Sequence, residues 1–386
     1  MIRISRVKLG KSRTGDTELE EAVELCRQLY NAALEERVTS WKQRRVTIGL
    51  YDQYRSLTEI RAADEKYRRL PAQMVRATAL LRLHLAVNAF FRRLKDGEAP
   101  GYPRFKAKGR FSTLVFTRTG WSIEGKHLVL RFGADRFRFR MKNRIHRSGQ
   151  IRGLRLVKKL GRWWAYFLVD IGPAPAVKKS TNGVGIDVGL KMFATLSNGE
   201  QVEHPRFLRK NLKRLHDAHQ VIFRKKSGSK RSARAKLVYG KMHAKLVNRR
   251  SNFIYQTVSM LVKKYDGFAV ERLNIEKMAA KPMHDTRMRF EIRRGIEDSA
   301  WGKFMRVLAA KAEEAGLPFV RVNPKGTTQQ CSGCGTIVRK GLNDRVHDCA
   351  ACGLVLDRDV NAARNIRDRG QRSALERQKR DGAETG

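Results

Sequence analysis

Four of the five cysteines form two CxxC pairs, Cys331/Cys334 and Cys349/Cys352. Each pair predicts a tight turn that points two thiolates at one ion, and four thiolates make a closed tetrahedral site. A disulfide framework is the alternative, but it is typical of small secreted domains. We therefore expect one structural Zn²⁺. We do not expect the nearby His347 to be a ligand.

Three acidic residues could carry catalysis: Asp187 in GVGIDVGL, Glu271 in FAVERLNI and Asp359 in DRDVNAARNI. An ionised carboxylate in a buried strand is costly unless a cation is paired with it. Asp359 fits the first turn of a helix, where plain capping is the alternative; Asp357 competes with it, and we interpret Asp357 as peripheral. Converging carboxylates can hold two Mg²⁺ ions ~3.5–4 Å apart, an arrangement that serves phosphodiester hydrolysis.

The charge balance indicates a polyanionic partner. The 386 residues carry a formal net charge of +45, and segment 205–250 holds sixteen Lys or Arg against the single acid Asp217. A solvated helix face explains some of this charge, but like charges along a helix repel unless an anion neutralises them. An anionic membrane is the alternative to nucleic acid. However, no apolar run approaches the ~20 residues of a membrane span, and no signal peptide is evident.

The cysteine usage predicts a reducing cytoplasm, with the unpaired Cys26 in a helical core. Residues 1–10 read as a strand, and a helix is predicted from Thr17, where Thr17 and Glu20 make a capping box. The helical pattern fills segment 11–100. Segment 101–172 then contains short strands that predict a small β-barrel, which strand 1–10 would join. Four aromatic residues are expected mainly in its core rather than stacking on bases: Phe105, Phe111, Phe116 and Trp121.

The rest of the chain reads as an α/β unit. It divides into a linker at 173–182, strands and helices in 183–322, the cysteine segment 323–355, a helix within 356–370 and a disordered tail at 371–386. The predicted hairpin comprises 183–190 and 192–196, and buried strands are predicted at 267–271 and 318–322. The acids would lie on the hairpin, the central strand and the last helix.

These motifs resemble those of the TnpB proteins encoded by small insertion sequences, which are related to compact type V CRISPR effectors. The matching segments cover most of the chain: GIDVGLKMFATLSNG, FAVERLNIEKM, TTQQCSGCG with CAACG, DRDVNAARNI and FFRRLKDGEAPGYPRFKAKGRFSTLVF. The resemblance implies an α+β multidomain protein. A wedge β-barrel (1–10 and 101–172) would be interrupted by a helical recognition lobe (11–100). An RNase H-like α/β RuvC nuclease domain (183–322 and 356–370) would follow, with an inserted zinc ribbon (323–355).

The resemblance also implies an RNA-guided DNA endonuclease of a transposable element. Its catalytic residues would be Asp187, Glu271 and Asp359, binding two Mg²⁺ ions; Asp359 is chosen over Asp357 because the family motif reads Asp-x-Asn-Ala-Ala. A guide RNA would pair with target double-stranded DNA beside a short flanking motif. The implied location is the bacterial or archaeal cytoplasm, at the nucleoid, without a membrane, and a monomer is favoured.

Four alternatives stay open at this point. The chain could be a guided DNA binder without cleavage, a CRISPR-associated effector, a DNA-strand transposase, or a non-enzymatic zinc-ribbon RNA-binding protein. The presence of all three acids argues against the silent binder. The last alternative explains the charge and the cysteines but leaves two buried acids unexplained.

Overall fold

The computed structural model describes residues 1–145, 148–280, 286–341 and 344–383. The chain forms two compact units, Met1–Pro173 and Ala174–Gly386. Both contain helices and strands, so the expected mixed α/β multidomain architecture is confirmed.

The first unit begins and ends with strands of the same sheet. Its elements are β1 (Ile2–Lys8), α1 (Arg13–Arg44), α2 (Leu50–Ala63), α3 (Glu65–Arg69), α4 (Ala72–Val75), a π-helical turn (Arg76–Leu80), α5 (Leu81–Lys95), β2 (Thr113–Phe116), β3 (Trp121–Glu124), β4 (His127–Phe132), β5 (Asp135–Arg140), β6 (Gln150–Lys159) and β7 (Arg162–Asp170). One sheet has the order β1-β7-β6-β2 and the other β3-β4-β5. β1 pairs antiparallel with β7 over its whole length, so the helices are an insertion after the first strand. Closure of these two sheets into a barrel stays a prediction.

The first helix begins earlier than the capping box predicts. Its N-cap is Ser12, whose hydroxyl accepts the Gly15 N–H at 3.3 Å. Gly15 packs against the Phe139 ring so closely that a Cβ would lie 2.5 Å from it. Thr17 lies inside the first turns instead of capping them, and its hydroxyl donates to the Arg13 carbonyl at 3.0 Å.

One stretch of the described residues, Ala72–Lys95, is long and apolar enough to cross a membrane by length and composition. The expectation that no apolar run reaches such a length therefore needs correction. Buried side chains of this stretch belong to the core of the first unit: Met74, Val75, Ala79, Leu80, Leu83 and Val87.

The second unit is built on a five-stranded sheet. Its elements are β8 (Gly183–Asp187), β9 (Met192–Leu196), β10 (Gln201–Glu203), a 3₁₀ turn (Arg209–Asn211), α6 (Leu212–Phe223), α7 (Lys230–Lys264), β11 (Gly267–Glu271), α8 (Ile275–Ala280), α9 (Thr286–Ser299), α10 (Trp301–Ala315), β12 (Phe319–Val322), β13 (Val346–Asp348), β14 (Val355–Asp357) and α11 (Arg358–Ala383). The sheet order is β10-β9-β8-β11-β12. β8, β11 and β12 are parallel, and β9 returns antiparallel to β8 as the predicted hairpin.

Helix α11 lies against the parallel strands through two glycines. A Cβ on Gly185 in β8 would overlap the Ala363 carbonyl oxygen and lie 2.5 Å from the Arg367 nitrogen. Gly370 in α11 packs on Ala269 of β11 in the same way. Glycine at these positions allows the helix backbone to approach the sheet directly.

The predicted disordered tail at 371–386 needs correction, because α11 continues to Ala383. Gly370 does not end the helix. It is the contact point with β11, and no proline follows it to interrupt the hydrogen-bond ladder. Residues 384–386 of the predicted tail lie outside the described residues.

We predict that Gly185→Ala destabilises the second unit, because the added methyl group meets helix backbone that cannot rotate away. Overpacking of this kind costs about 1–3 kcal/mol, so the melting temperature should fall by several degrees. Gly302→Ala is the matched control, since its Cβ would meet only the tip of Ile275 at 3.3 Å. Equal melting of both variants and wild type would contradict the proposed contact.

Candidate functional site

Asp187 and Glu271 lie side by side at one end of the second unit's sheet. β8 ends at Asp187 and β11 ends at Glu271. The parallel register pairs Ile186 with Val270, so the two acids are the next residues along neighbouring strands. The carboxyl ends of these strands therefore present two carboxylates together.

The pKa of Asp187 responds to the charge of the third acid, Asp359. Burial raises the pKa of Asp187 well above its ordinary value, and the charges of Glu271 and Asp359 raise it further, whereas Arg358 opposes them. Burial also raises the pKa of Glu271, opposed by a hydrogen bond from Thr327. Asp187 thus interacts electrostatically with both Glu271 and Asp359, and the three acids are called the carboxylate cluster below. Among the described residues, their oxygen atoms do not form a group in which all lie within 4.8 Å of one another. Excess negative charge of this kind is what a bound cation relieves.

Capping of α11 is performed by Asp357 and not by Asp359. One Asp357 carboxylate oxygen accepts the N–H groups of Asp359 at 2.8 Å and Val360 at 3.2 Å. The Asp359 side chain instead pairs with Arg358 at 3.3 Å, and its charge acts on Asp187. The neighbouring acids therefore have different roles, one at the helix end and one in the carboxylate cluster.

A buried threonine orients Glu271. The Thr327 hydroxyl donates to Glu271 Oε1 at 2.6 Å, and only 2% of Thr327 is exposed. Asn365 of α11 in turn donates to the Thr327 carbonyl at 2.8 Å. Glu271 is thus held by the loop that leads into the cysteines, and α11 holds that loop.

Two asparagines one helical turn apart fix the same loop. Asn361 and Asn365 both donate to the Gln330 carbonyl, at 2.8 and 2.7 Å. Asn361 also accepts the Ser332 N–H at 2.9 Å. Both asparagines are buried, and together they tie the start of the cysteine segment to α11.

The four paired cysteines converge on one point. Among the described residues, this is the one group of metal-ligand side chains whose donor atoms all lie within 4.8 Å of one another. Sulfur separations are 3.6 Å for Cys331–Cys352 and for Cys334–Cys349. A disulfide requires ~2.05 Å, whereas a tetrahedron with Zn–S bonds of ~2.3 Å has edges of ~3.8 Å. The spacing therefore fits a tetrahedral metal ion.

The thiols of this group differ in pKa. Hydrogen bonding with Thr336 lowers the pKa of Cys334 to about 6, whereas a backbone hydrogen bond from Leu354 lowers the pKa of Cys352 but contacts with the other three thiols raise it to about 12. A bound cation would favour the ionised form of all four. His347 is completely buried and lies outside the cysteine group, with its Nδ1 atom against Lys340. Burial and the Lys340 charge lower its pKa.

The basic segment forms α6 and α7, whose Lys and Arg side chains are mostly exposed.

Of the four aromatic residues expected in the core, Phe111 and Phe116 are buried and Trp121 packs against the core of the first unit. Phe105 differs, with 58% of its surface exposed.

Thr327, Asn361 and Asn365 were not singled out from the sequence, although they lie inside motifs quoted above. Residues i and i+4 share one helix face. The pair Asn361/Asn365 on an otherwise apolar face could therefore have indicated a buried polar contact. The partner of Thr327 could not have been found this way, because Glu271 is remote in sequence.

Two family models match this chain. The model "Cas12f1-like, TNB domain" covers residues 301–366, and "Probable transposase" covers residues 166–281. The first spans the cysteine segment and Asp359, and the second contains Asp187 and Glu271.

Comparisons with individual proteins agree with the family models. A Streptomyces pristinaespiralis protein named "Putative RNA-guided DNA endonuclease" is 28% identical over 90% of this chain and 84% of its own length. The "TnpB-like protein L79" of Acanthamoeba polyphaga mimivirus is 26% identical over 53% of this chain and 40% of its own. A Cas12f1 chain, solved with sgRNA and target DNA, has a similar fold (TM-score 0.57, 14% identity, 92% of this chain and 83% of that one).

We predict that Thr327→Val weakens divalent-cation binding at the carboxylates by about 10–100-fold, as loss of an orienting hydrogen bond to a ligand typically does. Thr327→Ser keeps the hydroxyl and should bind nearly as wild type. Titration calorimetry with Mn²⁺ measures the difference, and unchanged zinc content verifies the cysteine site. Equal affinities for valine and serine variants would contradict the role of Thr327.

We predict that Asp187→Asn raises the melting temperature of the Mg²⁺-free protein. The folded state raises the pKa of Asp187, so wild type loses stability as pH rises from the unfolded value of ~3.9 through the folded value. The asparagine variant has no carboxyl group at this position and does not lose stability in this way. The difference in melting temperature between the variant and wild type should therefore be larger at pH 8 than at pH 5, and Mg²⁺ should reduce that difference. An advantage independent of pH would contradict this account.

Proposed function

We propose that this chain, which is similar to the TnpB proteins, is an RNA-guided DNA endonuclease. The observation that carries the proposal is the carboxylate cluster of Asp187, Glu271 and Asp359. The positive charge of Arg358 opposes the effect of the other two acids on the pKa of Asp187, but that pKa remains well above its ordinary value. Relatives of matching length bear the corresponding name. The reaction would be hydrolysis of phosphodiester bonds in target DNA.

The three carboxylates suit Mg²⁺, which prefers oxygen ligands. Bound there, two such ions would activate a water molecule and stabilise the leaving oxygen. The residues of this chain contribute position and charge: β8 and β11 set Asp187 and Glu271 in register, α11 supplies Asp359, and Thr327 orients Glu271.

Zn²⁺ is proposed at Cys331, Cys334, Cys349 and Cys352, as a structural ion. All four positions are thiolates, so a bound tetrahedral ion has no open position for substrate. The asparagine contacts of α11 next to Cys331 support this structural role, because they connect the cysteine segment to the loop that holds Glu271.

The finer architecture is also proposed. The second unit would be an RNase H-like RuvC domain (183–322, and 356 onward through α11) with a zinc ribbon at 323–355. Three parallel strands with an antiparallel hairpin support this. The first unit would be a wedge barrel (1–10 and 101–172) around a helical recognition lobe (11–100), supported by β1 pairing with β7.

The exposed basic residues of α6 and α7 would bind nucleic-acid backbone. A formal charge of +45 makes such binding strong and salt-dependent. In an RNA-guided enzyme sequence choice rests with base pairing, while the protein contacts backbone and duplex shape. We propose that the complex acts in the bacterial or archaeal cytoplasm, at the nucleoid.

We predict that Asp359→Asn abolishes guided cleavage while Asp357→Asn retains it. The first change removes a carboxylate from the cluster, whereas asparagine at 357 still caps α11. The assay combines the protein, guide RNA from its native locus, Mg²⁺ and target DNA beside a library of flanking sequences. Guide binding, measured in parallel, should be the same for both variants.

Asp187→Ala serves as the reference for complete loss of cleavage. Cleavage by Asp359→Asn at the wild-type rate would show that the third carboxylate is misassigned. Absence of cleavage by the wild-type complex across the whole library would contradict the nuclease proposal.

A further inference from the structure

An arginine-lined cavity of about 660 Å³ opens at the β12 edge of the second unit's sheet. Arg272 follows β11, Arg321 lies on β12, and Arg369 and Arg372 lie on α11. Glu376 is the one acid among the lining residues. The lining thus contains four guanidinium groups and one carboxylate.

Three of the four arginines in this cavity form no ion pair within the part of the chain that the structure describes. Arg272, Arg321 and Arg372 have exposed side chains, and no ion pair joins any of them to an acid in the described residues. Clustered like charges are unfavourable unless an anion neutralises them. The guanidinium fork is also the geometry best matched to phosphate oxygens.

Part of the arginine cluster is held in place before any ligand binds. Arg369 donates to the carbonyls of Asn323 at 2.9 Å and Lys325 at 2.8 Å, and to the Gln330 side chain at 2.9 Å. The Arg321 guanidinium lies 5.7 Å from the centre of the Phe319 ring. Groups fixed in this way lose less conformational entropy on binding.

The cavity adjoins the carboxylate cluster. Arg272 is the residue directly after Glu271, and Arg369 donates to the side chain of Gln330, in the loop whose Thr327 hydroxyl donates to Glu271. The same Gln330 that Arg369 contacts is held by Asn361 and Asn365. A nucleic-acid strand with one phosphate at the carboxylates would therefore bring its neighbouring phosphates to these arginines.

We infer that this cavity binds backbone phosphates of the single DNA strand undergoing cleavage, next to the scissile bond. The inference rests on the proposed nuclease function. The volume lies in the ~300–1,000 Å³ range of sites for small molecules, which is large enough for one nucleotide of a single strand. DNA is favoured over the guide because the cavity adjoins the hydrolytic carboxylates.

The test uses the double variant Arg321→Gln/Arg372→Gln, in the full chain with its guide RNA and in an Asp187→Ala background that prevents cleavage. Binding of a fluorescent single-stranded oligothymidylate is measured from low to physiological salt. We expect affinity to fall about tenfold or more, as for loss of charge-assisted hydrogen bonds. The slope of log affinity against log salt should decrease by ~0.7 for each phosphate that the variant no longer neutralises.

Arg55→Gln/Arg136→Gln is the matched control. It removes the same charge, but both arginines are already paired, with Asp52 and Glu124. This control should leave DNA affinity and salt slope close to those of the background protein.

Unchanged DNA affinity and slope in the Arg321/Arg372 variant would overturn the inference. Loss of guide RNA binding in place of DNA binding would also overturn it, because the cavity would then serve the guide. Binding is measured without cleavage, so these results are independent of the Asp359→Asn assay. The two proposals can therefore fail separately.

Discussion

The second unit depends on holding three like-charged carboxylates together against their mutual repulsion. The parallel register of β8 and β11 imposes the proximity of Asp187 and Glu271, and apolar packing of those strands supplies the favourable energy. Arg358 and Thr327 reduce the repulsion without removing it. Such partial compensation is typical of sites whose purpose is to bind cations or charged substrates.

Helix α11 connects every part of the candidate site. Its first turn contributes Asp359, its asparagines hold the loop before the cysteines, and its backbone rests on the sheet at Gly185 and Gly370. The cysteine segment is therefore part of the site's support: displacement of Gln330 would disturb contacts that position Thr327 and, through it, Glu271.

Local sequence patterns predicted four strands of the second unit, β8, β9, β11 and β12, because each is a short run of mostly apolar residues, whereas the three-residue strands β10, β13 and β14 contain no such run. They also predicted the cysteine cluster, because the CxxC spacing of each pair is typical of a tight turn that points two thiolates at one ion. The capping box of Thr17 and Glu20 placed the start of α1 too late, because the Ser12 hydroxyl caps the helix instead. The polar composition beyond Gly370 predicted disorder, but α11 continues to Ala383, and its Gly370 packs against Ala269, a residue far away in the sequence. The hydrogen bond from Thr327 to Glu271 likewise joins residues far apart in the chain.

The separation of β8 from α11 has a consequence for biosynthesis. Asp187 emerges from the ribosome long before Asp359, and contacts between segments this distant in sequence form late because of the loop entropy they require. The carboxylate cluster is therefore incomplete until nearly the whole described chain has been made. A nascent or truncated chain could carry the basic helices α6 and α7 and bind nucleic acid, yet it would have no complete site with which to cut it.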